Sequence, residues 1–266
     1  MSASPIKDQI AALGPWFYEF DLGPHGRTVS LLPPEVLPIH STRLEMVIRA
    51  VDAHFGPRLA QVQCLDVGCH EGYYSVAMAR KGVREVLGID VREVNLRKAR
   101  FVAEALGLSN VAYQQGNCEE IDPGALGRYE LCLFLGILYH LENPMLALRK
   151  IAAVTTELCV IETQVADEVE GSAEWGAREW TRPYQGVLAL IDESAEFEAE
   201  IAETGASPLA TCPSPKALEA MLKHAGFRRI EWIAPPPDAY EQHRRGKRVV
   251  CAAYKEHALN RSDKNF

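Results

Sequence analysis

The densest chemistry in the sequence lies in Cys64-Leu65-Asp66-Val67-Gly68-Cys69-His70-Glu71-Gly72-Tyr73-Tyr74-Ser75. An apolar stretch ends in a carboxylate, crosses two glycines and enters a helical pattern. Gly68 lets a ligand approach the backbone, and Gly72 permits close packing of the helix whose N-terminus faces the crevice. In dinucleotide sites that helix end carries pyrophosphate. Here the spacing is G-x-x-x-G with Asp66 upstream, and a carboxylate beside pyrophosphate would be repelled. Asp66 suits a cationic group instead, such as an α-amino group near a sulfonium. His70 falls where a middle glycine often sits. Histidine tolerates positive φ, so its reading is a turn residue rather than a catalytic one.

Further along, Asp90 ends the run LGID and is followed by Val91. The two acceptor oxygens of a carboxylate there match a ribose diol; capping of the next helix is the plainer alternative. Gly116-Asn117-Cys118 forms a third loop, from which Asn117 can read an adenine edge. At the reacting end stand Gly136, Ile137, Tyr139 and His140, and the near-neutral pKa of histidine suits His140 to acid–base work. Glu162 is the second candidate, as a base or as an acceptor that orients a hydroxyl. Each has a bland reading: a loop brace for His140, a strand-end carboxylate for Glu162. Trp16, His40 and Arg43 are expected near the pocket mouth, with Tyr139 shaping it. Trp175, Arg178, Trp180, Arg182 and Tyr184 interleave rings with guanidiniums, a pattern that suits a saccharide or aromatic ligand. The same tryptophans could equally anchor an extension or form a homodimer contact. No ligand spacing singles out a metal.

These residues require elements to hold them. VQCLDV, REVLGID, NVAYQQ, YELCLFLGILYH and ELCVIET read as strands alternating with helices GYYSVAMARKG, EVNLRKARFVAEALG and PMLALRKIAAV. Buried apolar strands alternating with such helices indicate a doubly wound parallel sheet. The helix SPKALEAMLKHAGF and the strands FRRIEWIA and KRVVCAAYK, the last two paired antiparallel, bring the count to seven strands. Residues 1–41 read as an irregular arm broken by Pro and Gly. A first helix then starts at Ser41 or Thr42. The α/β domain proper spans 42–254, interrupted by a long acidic insertion at 164–212, and 255–266 form a tail.

The chain has 266 residues, 47% hydrophobic and 24% charged, with a formal net charge of −8. That balance excludes disorder, collagen and coiled coil. It also argues against a nucleic-acid partner, whose binding depends on Lys and Arg neutralising phosphates. No apolar stretch is long enough to span a bilayer, and MSASPIKDQI lacks a basic leader and an apolar core, so a cytoplasmic protein is expected. The seven cysteines are scattered without a CxxC pair, as expected of reduced thiols.

Taken together, LDVGCHEGYYS, LGID, QGNCEEID and the strand before LYH resemble the class I S-adenosylmethionine-dependent methyltransferases, over residues 60–254. GILYHLENPMLALRKI and ALEAMLKHAGFRRIEW look like the branch containing the wobble-uridine carboxymethoxy-forming tRNA enzyme and its small-molecule relatives. The resemblance implies a Rossmann-like seven-stranded sheet, S-adenosylmethionine as donor and S-adenosylhomocysteine as product. It also implies that Asp66, Gly68, Gly72, Asp90 and Asn117 line the cofactor pocket, with Gly136 and Ile137 near the methionine portion. The expected activity is O-methylation of a small hydroxylated acceptor, a saccharide or natural product. A tRNA-modifying enzyme and a cofactor-binding, non-catalytic partner protein are the alternatives. The segment WFYEFDLGPHGRT supplies only Arg27 where the tRNA enzyme's family places a lysine.

Overall fold

A computed structural model describes residues 6–174, 181–198, 205 and 207–255. One sheet contains β1 (Gln63–Val67), β2 (Glu85–Asp90), β3 (Val111–Gln115), β4 (Tyr129–Leu135), β5 (Thr155–Gln164), β6 (Arg229–Ile233) and β7 (Arg248–Tyr254). Its order is β6-β7-β5-β4-β1-β2-β3. Strands β1 to β5 run parallel, whereas β7 is antiparallel to both β5 and β6. The chain winds outward through β2 and β3, then returns to β4 on the other side of β1. A crevice therefore opens beyond the carboxyl ends of β1 and β4.

Helices cover both faces: α1 (Ile6–Leu13), α2 (Pro38–Phe55), α3 (Tyr73–Arg80), α4 (Glu93–Ala105), α5 (Pro144–Val154) and α6 (Pro215–Ala225). One hydrophobic cluster joins the arm, α2, α3 and part of α4 to the sheet, and a second joins α5 and α6 to its other face. Because both faces are covered, the last five residues of β4 are all buried, and the strand reads as a continuous apolar run. Pro144 starts α5, and the Ser214 hydroxyl accepts the Ala217 N–H to cap α6.

Three local readings differ from expectation. The arm contains α1, because no Pro or Gly falls between Pro5 and Gly14. α2 starts at Pro38, whose fixed φ favours the first helical position. His40 to Arg43 consequently lie within the helix, and the Thr42 hydroxyl accepts the Tyr240 N–H (2.8 Å) rather than capping α2. Finally, β4 stops at Leu135. Gly136 turns the chain at φ 75°, and Leu138–His140 form a 3-10 turn.

The rest of the arm lies on the domain. Tyr18 stacks on Tyr73 with centroids 4.8 Å apart, and Trp16, Phe20 and Leu22 are buried. Within the insertion, Leu188–Asp192 pairs with Leu209–Pro213 as a hairpin, and Ser172–Ala173 pairs with Arg182–Pro183.

Candidate active site

A cavity of about 300 Å³ lies at the carboxyl edge of the sheet. Its wall includes Gly68, Asp90, Val91, Asn117, Cys118, Gly136 and Ile137 from the predicted cofactor loops, and Tyr139, His140, His40 and Arg43 from the reacting end. Tertiary structure thus gathers loops from β1, β2, β3 and β4 with α2. Asp90 holds the turn around itself: one oxygen accepts the His70 N–H and the other the Arg92 N–H, both at 2.9 Å. The Asn117 carbonyl oxygen accepts the Glu119 N–H at 3.0 Å, so its amide nitrogen is what can meet a base edge.

Gly68 adopts φ 65°, and a Cβ there would collide with the Ile137 side chain. Gly72 adopts φ 81°, with the Tyr113 hydroxyl occupying the space of its missing Cβ. Its role is packing against β3, away from the cavity wall. His70 is the one non-glycine residue with positive φ among those described, at 51°. Its ring is enclosed and pushed down to about 3 by burial, so it remains neutral. That matches the turn role.

Asp66 departs from its expected role. It is 1% exposed, stands outside the cavity wall, and accepts the Ser75 hydroxyl at 2.6 Å. Burial pushes its carboxyl up to about 7. It anchors the β1–α3 turn rather than presenting an anion to a ligand.

Glu162 is also not the base expected of it. Its fully buried carboxylate lies 3.0 Å from Arg43, 3.0 Å from Arg248 and 3.4 Å from His243. Despite burial, the two guanidiniums hold it well below the ordinary carboxylate range, and a carboxylate so stabilised is a poor proton acceptor. Arg248 reaches on to the Tyr139 hydroxyl at 2.9 Å, so this cluster shapes the floor of the reacting end.

His140 is placed differently. Its Nδ1 contacts Glu193 at 2.9 Å, its side chain is 18% exposed, and burial lowers its pKa, with Glu193 opposing. A neutral imidazole at the cavity wall can accept a proton. Glu193 was missed in the sequence because nothing in its neighbourhood there points to His140.

The remaining substrate residues divide. His40 and Arg43 line the cavity, joined by Phe17 and Tyr18 from the arm, which the sequence did not single out. Trp16 does not reach it; the ring is 3% exposed, packs on Phe101 and donates its indole N–H to the Ile10 carbonyl. Arg182 and Tyr184 are exposed and away from the cavity. Trp175, Arg178 and Trp180 lie outside the described residues.

A family model described as a methyltransferase domain matches residues 59–207, more than half of the chain. The chain belongs to the class I S-adenosylmethionine-dependent methyltransferases. Among curated proteins, this methyltransferase is similar to the ubiquinone biosynthesis O-methyltransferase of Acinetobacter baylyi, 34% identical over 110 residues. That match covers 41% of this chain and 45% of that protein, so the chain spans less than half the length of this relative. The protein of the same description from Psychrobacter arcticus is 27% identical over 178 residues, 66% of this chain and 62% of that one. Among solved structures, the N-terminal domain of EvdMO1, in the presence of S-adenosylhomocysteine and D-fucose, matches with a TM-score of 0.71 at 23% identity. The match covers 96% of this chain and 98% of that one. Magnesium protoporphyrin IX methyltransferase from Synechocystis PCC 6803 matches with a TM-score of 0.57 at 14% identity, over 86% and 89% of the two chains. At these identities the likeness is one of fold.

The cavity suits the family's cofactor. Asp90 presents a carboxylate at the wall, the acceptor type that a ribose diol requires, and the turns at Gly68 and Gly136 have φ values of 65° and 75° without side chains of their own. Val91, Leu135 and Ile137 supply apolar wall between them.

Proposed function

We propose that this methyltransferase moves a methyl group to a hydroxyl of a free small acceptor, with a saccharide as the acceptor class. The observation that carries the reading is a neutral, partly exposed His140 in the wall of the same cavity as Asp90. When bound, S-adenosylmethionine supplies an electrophilic methyl on a sulfonium, a good leaving group. Asp90 and the turn backbone hold the donor, while the apolar walls exclude water and align the acceptor. An aliphatic hydroxyl has a very high pKa and must lose its proton as the new bond forms. His140 Nε2 accepts that proton. A carboxylate acceptor would need no such group, which favours the hydroxyl.

The acceptor class draws support from two directions. The curated relatives are named O-methyltransferases, and the EvdMO1 domain was solved with D-fucose present. The net charge of −8 suits a neutral polyol better than a polyanion. Labelled S-adenosylmethionine offered with a panel of glycosides tests the proposal. Label should reach a sugar oxygen, and His140→Ala should lower turnover by about 10²- to 10⁴-fold with S-adenosylhomocysteine affinity unchanged. Normal cofactor binding with no transfer to any hydroxyl would overturn it.

A further inference from the structure

His140 Nδ1 lies 2.9 and 3.1 Å from the two carboxylate oxygens of Glu193. Glu193 comes from the insertion, immediately after the hairpin strand Leu188–Asp192, and its side chain is 15% exposed. Its own N–H donates to the Pro208 carbonyl at 2.8 Å, which ties it to the returning side of the hairpin. That hairpin is fastened to the loop that carries His140. The Thr211 hydroxyl donates to the Leu141 carbonyl at 2.8 Å, and the Ser207 hydroxyl donates to the Glu142 carboxylate at 2.7 Å. There is also no room at Gly205 for a Cβ, which would strike the His140 carbonyl. Carboxylate and imidazole therefore meet because two separate stretches of chain are clamped together.

We infer that Glu193 is a positioning residue for His140, so that the insertion completes the base as well as flanking the acceptor. The inference rests on the hydroxyl methyl-transfer reading. A carboxylate accepting at Nδ1 keeps the proton on that nitrogen and leaves the Nε2 lone pair for the acceptor. When the hydroxyl proton reaches Nε2, both ring nitrogens carry protons, and the Glu193 charge stabilises the resulting imidazolium. The charged groups acting on the ring are Glu193, which favours the cation, and Arg248 and Arg92, which oppose it. Tyr139 packs against the ring at 4.1 Å, and Glu142 lies two residues along the loop. Glu193 is thus the direct contact that opposes burial and the two guanidiniums.

Nitrogen-resolved NMR titration of His140 in the full chain, with S-adenosylhomocysteine bound, tests the positioning role without any acceptor. Glu193→Gln, which keeps the shape and removes the charge, should move the His140 titration to lower pH. Glu193→Leu should also lose the wild-type tautomer signature, and Glu193→Asp should restore part of both effects. With an active acceptor, Glu193→Gln should cut kcat by about 10- to 100-fold, a fraction of what a general base supplies. The acceptor KM should hardly move, and the acid limb of the rate profile should shift downward with the NMR titration. An unchanged His140 titration and tautomer in the variants would overturn the inference. If the titration moves but no hydroxyl is ever methylated, the positioning role stands and the hydroxyl reading falls.

Discussion

Asp66 carries its oxygen against the Ser75 hydroxyl and is otherwise enclosed by protein. Burial favours its neutral acid and, with the charge of Asp90 adding to the effect, pushes it up to about 7. The folded chain therefore binds this proton more tightly than the unfolded chain. The linked stability is full below the ordinary aspartate range and is lost as pH rises through about 7. Asp66→Asn keeps an acceptor for Ser75 and removes the titration. We expect it to raise Tm above pH 7 and to leave Tm near the wild-type value at pH 4. Melting curves across that range check this; a gain of equal size at every pH would contradict it. At the residue scale, Asp66, Asp90 and His140 were all visible in the sequence as chemistry at strand ends. Which way each side chain points was not. The alternation of a strand fixes a face, but the hydroxyl of Ser75, nine residues later in the first turn of α3, fixes the Asp66 carboxylate.

At the scale of elements, one carboxylate anchors the backbone of the arm beneath its packed aromatic side chains. Glu71 is fully buried and accepts the N–H groups of Phe17 and Tyr18 at 3.0 Å and the Lys98 ammonium at 2.7 Å. Those bonds place Phe17 and Tyr18 in the cavity wall. Glu71→Ala removes the acceptors and leaves an enclosed ammonium without its counter-ion, which costs about 3–5 kcal/mol. Urea denaturation should show a loss of that size, and pairing the change with Lys98→Met should recover much of it. Cofactor affinity should fall as the wall loosens. A loss under about 0.5 kcal/mol, the range of ordinary surface substitutions, would show that the arm is held elsewhere. The arm carries Trp16, Phe17, Tyr18 and Phe20 close together in the sequence, apolar surface that something must cover. The partner is not legible there, because Glu71 sits inside the glycine turn, 54 residues from Phe17, and no spacing connects the two.

Across the whole molecule, Glu162 joins four distant parts. Arg43 comes from α2, Glu162 from β5, Arg248 from β7 and His243 from the short helix Glu241–Arg244. Glu162→Gln would leave two buried guanidiniums sharing no anion, and we expect it to destabilise the fold by about 3–5 kcal/mol. The wild-type carboxyl is held well below its ordinary range by those guanidiniums. Its contribution is therefore present above the ordinary glutamate range and is lost as pH falls further. The gap between variant and wild type in denaturation midpoints should narrow on acidification below pH 4, and a constant gap would count against the assignment.

The sequence by itself determined the seven-stranded architecture, the loops that meet at the cavity and the position of His140 after β4. Each rests on local physics: apolar periodicity marks buried strands, and glycine with a strand-end carboxylate marks a ligand turn. Only the tertiary structure decided that Glu162 is an ion-pair anchor, that Trp16 is core, and that Glu193 reaches His140. Those outcomes depend on pairs far apart in the chain, such as Arg248 with Glu162 and Glu193 with His140. No periodicity or spacing encodes such pairs, because they form only when the sheet brings its carboxyl edge, its last strand and the insertion together.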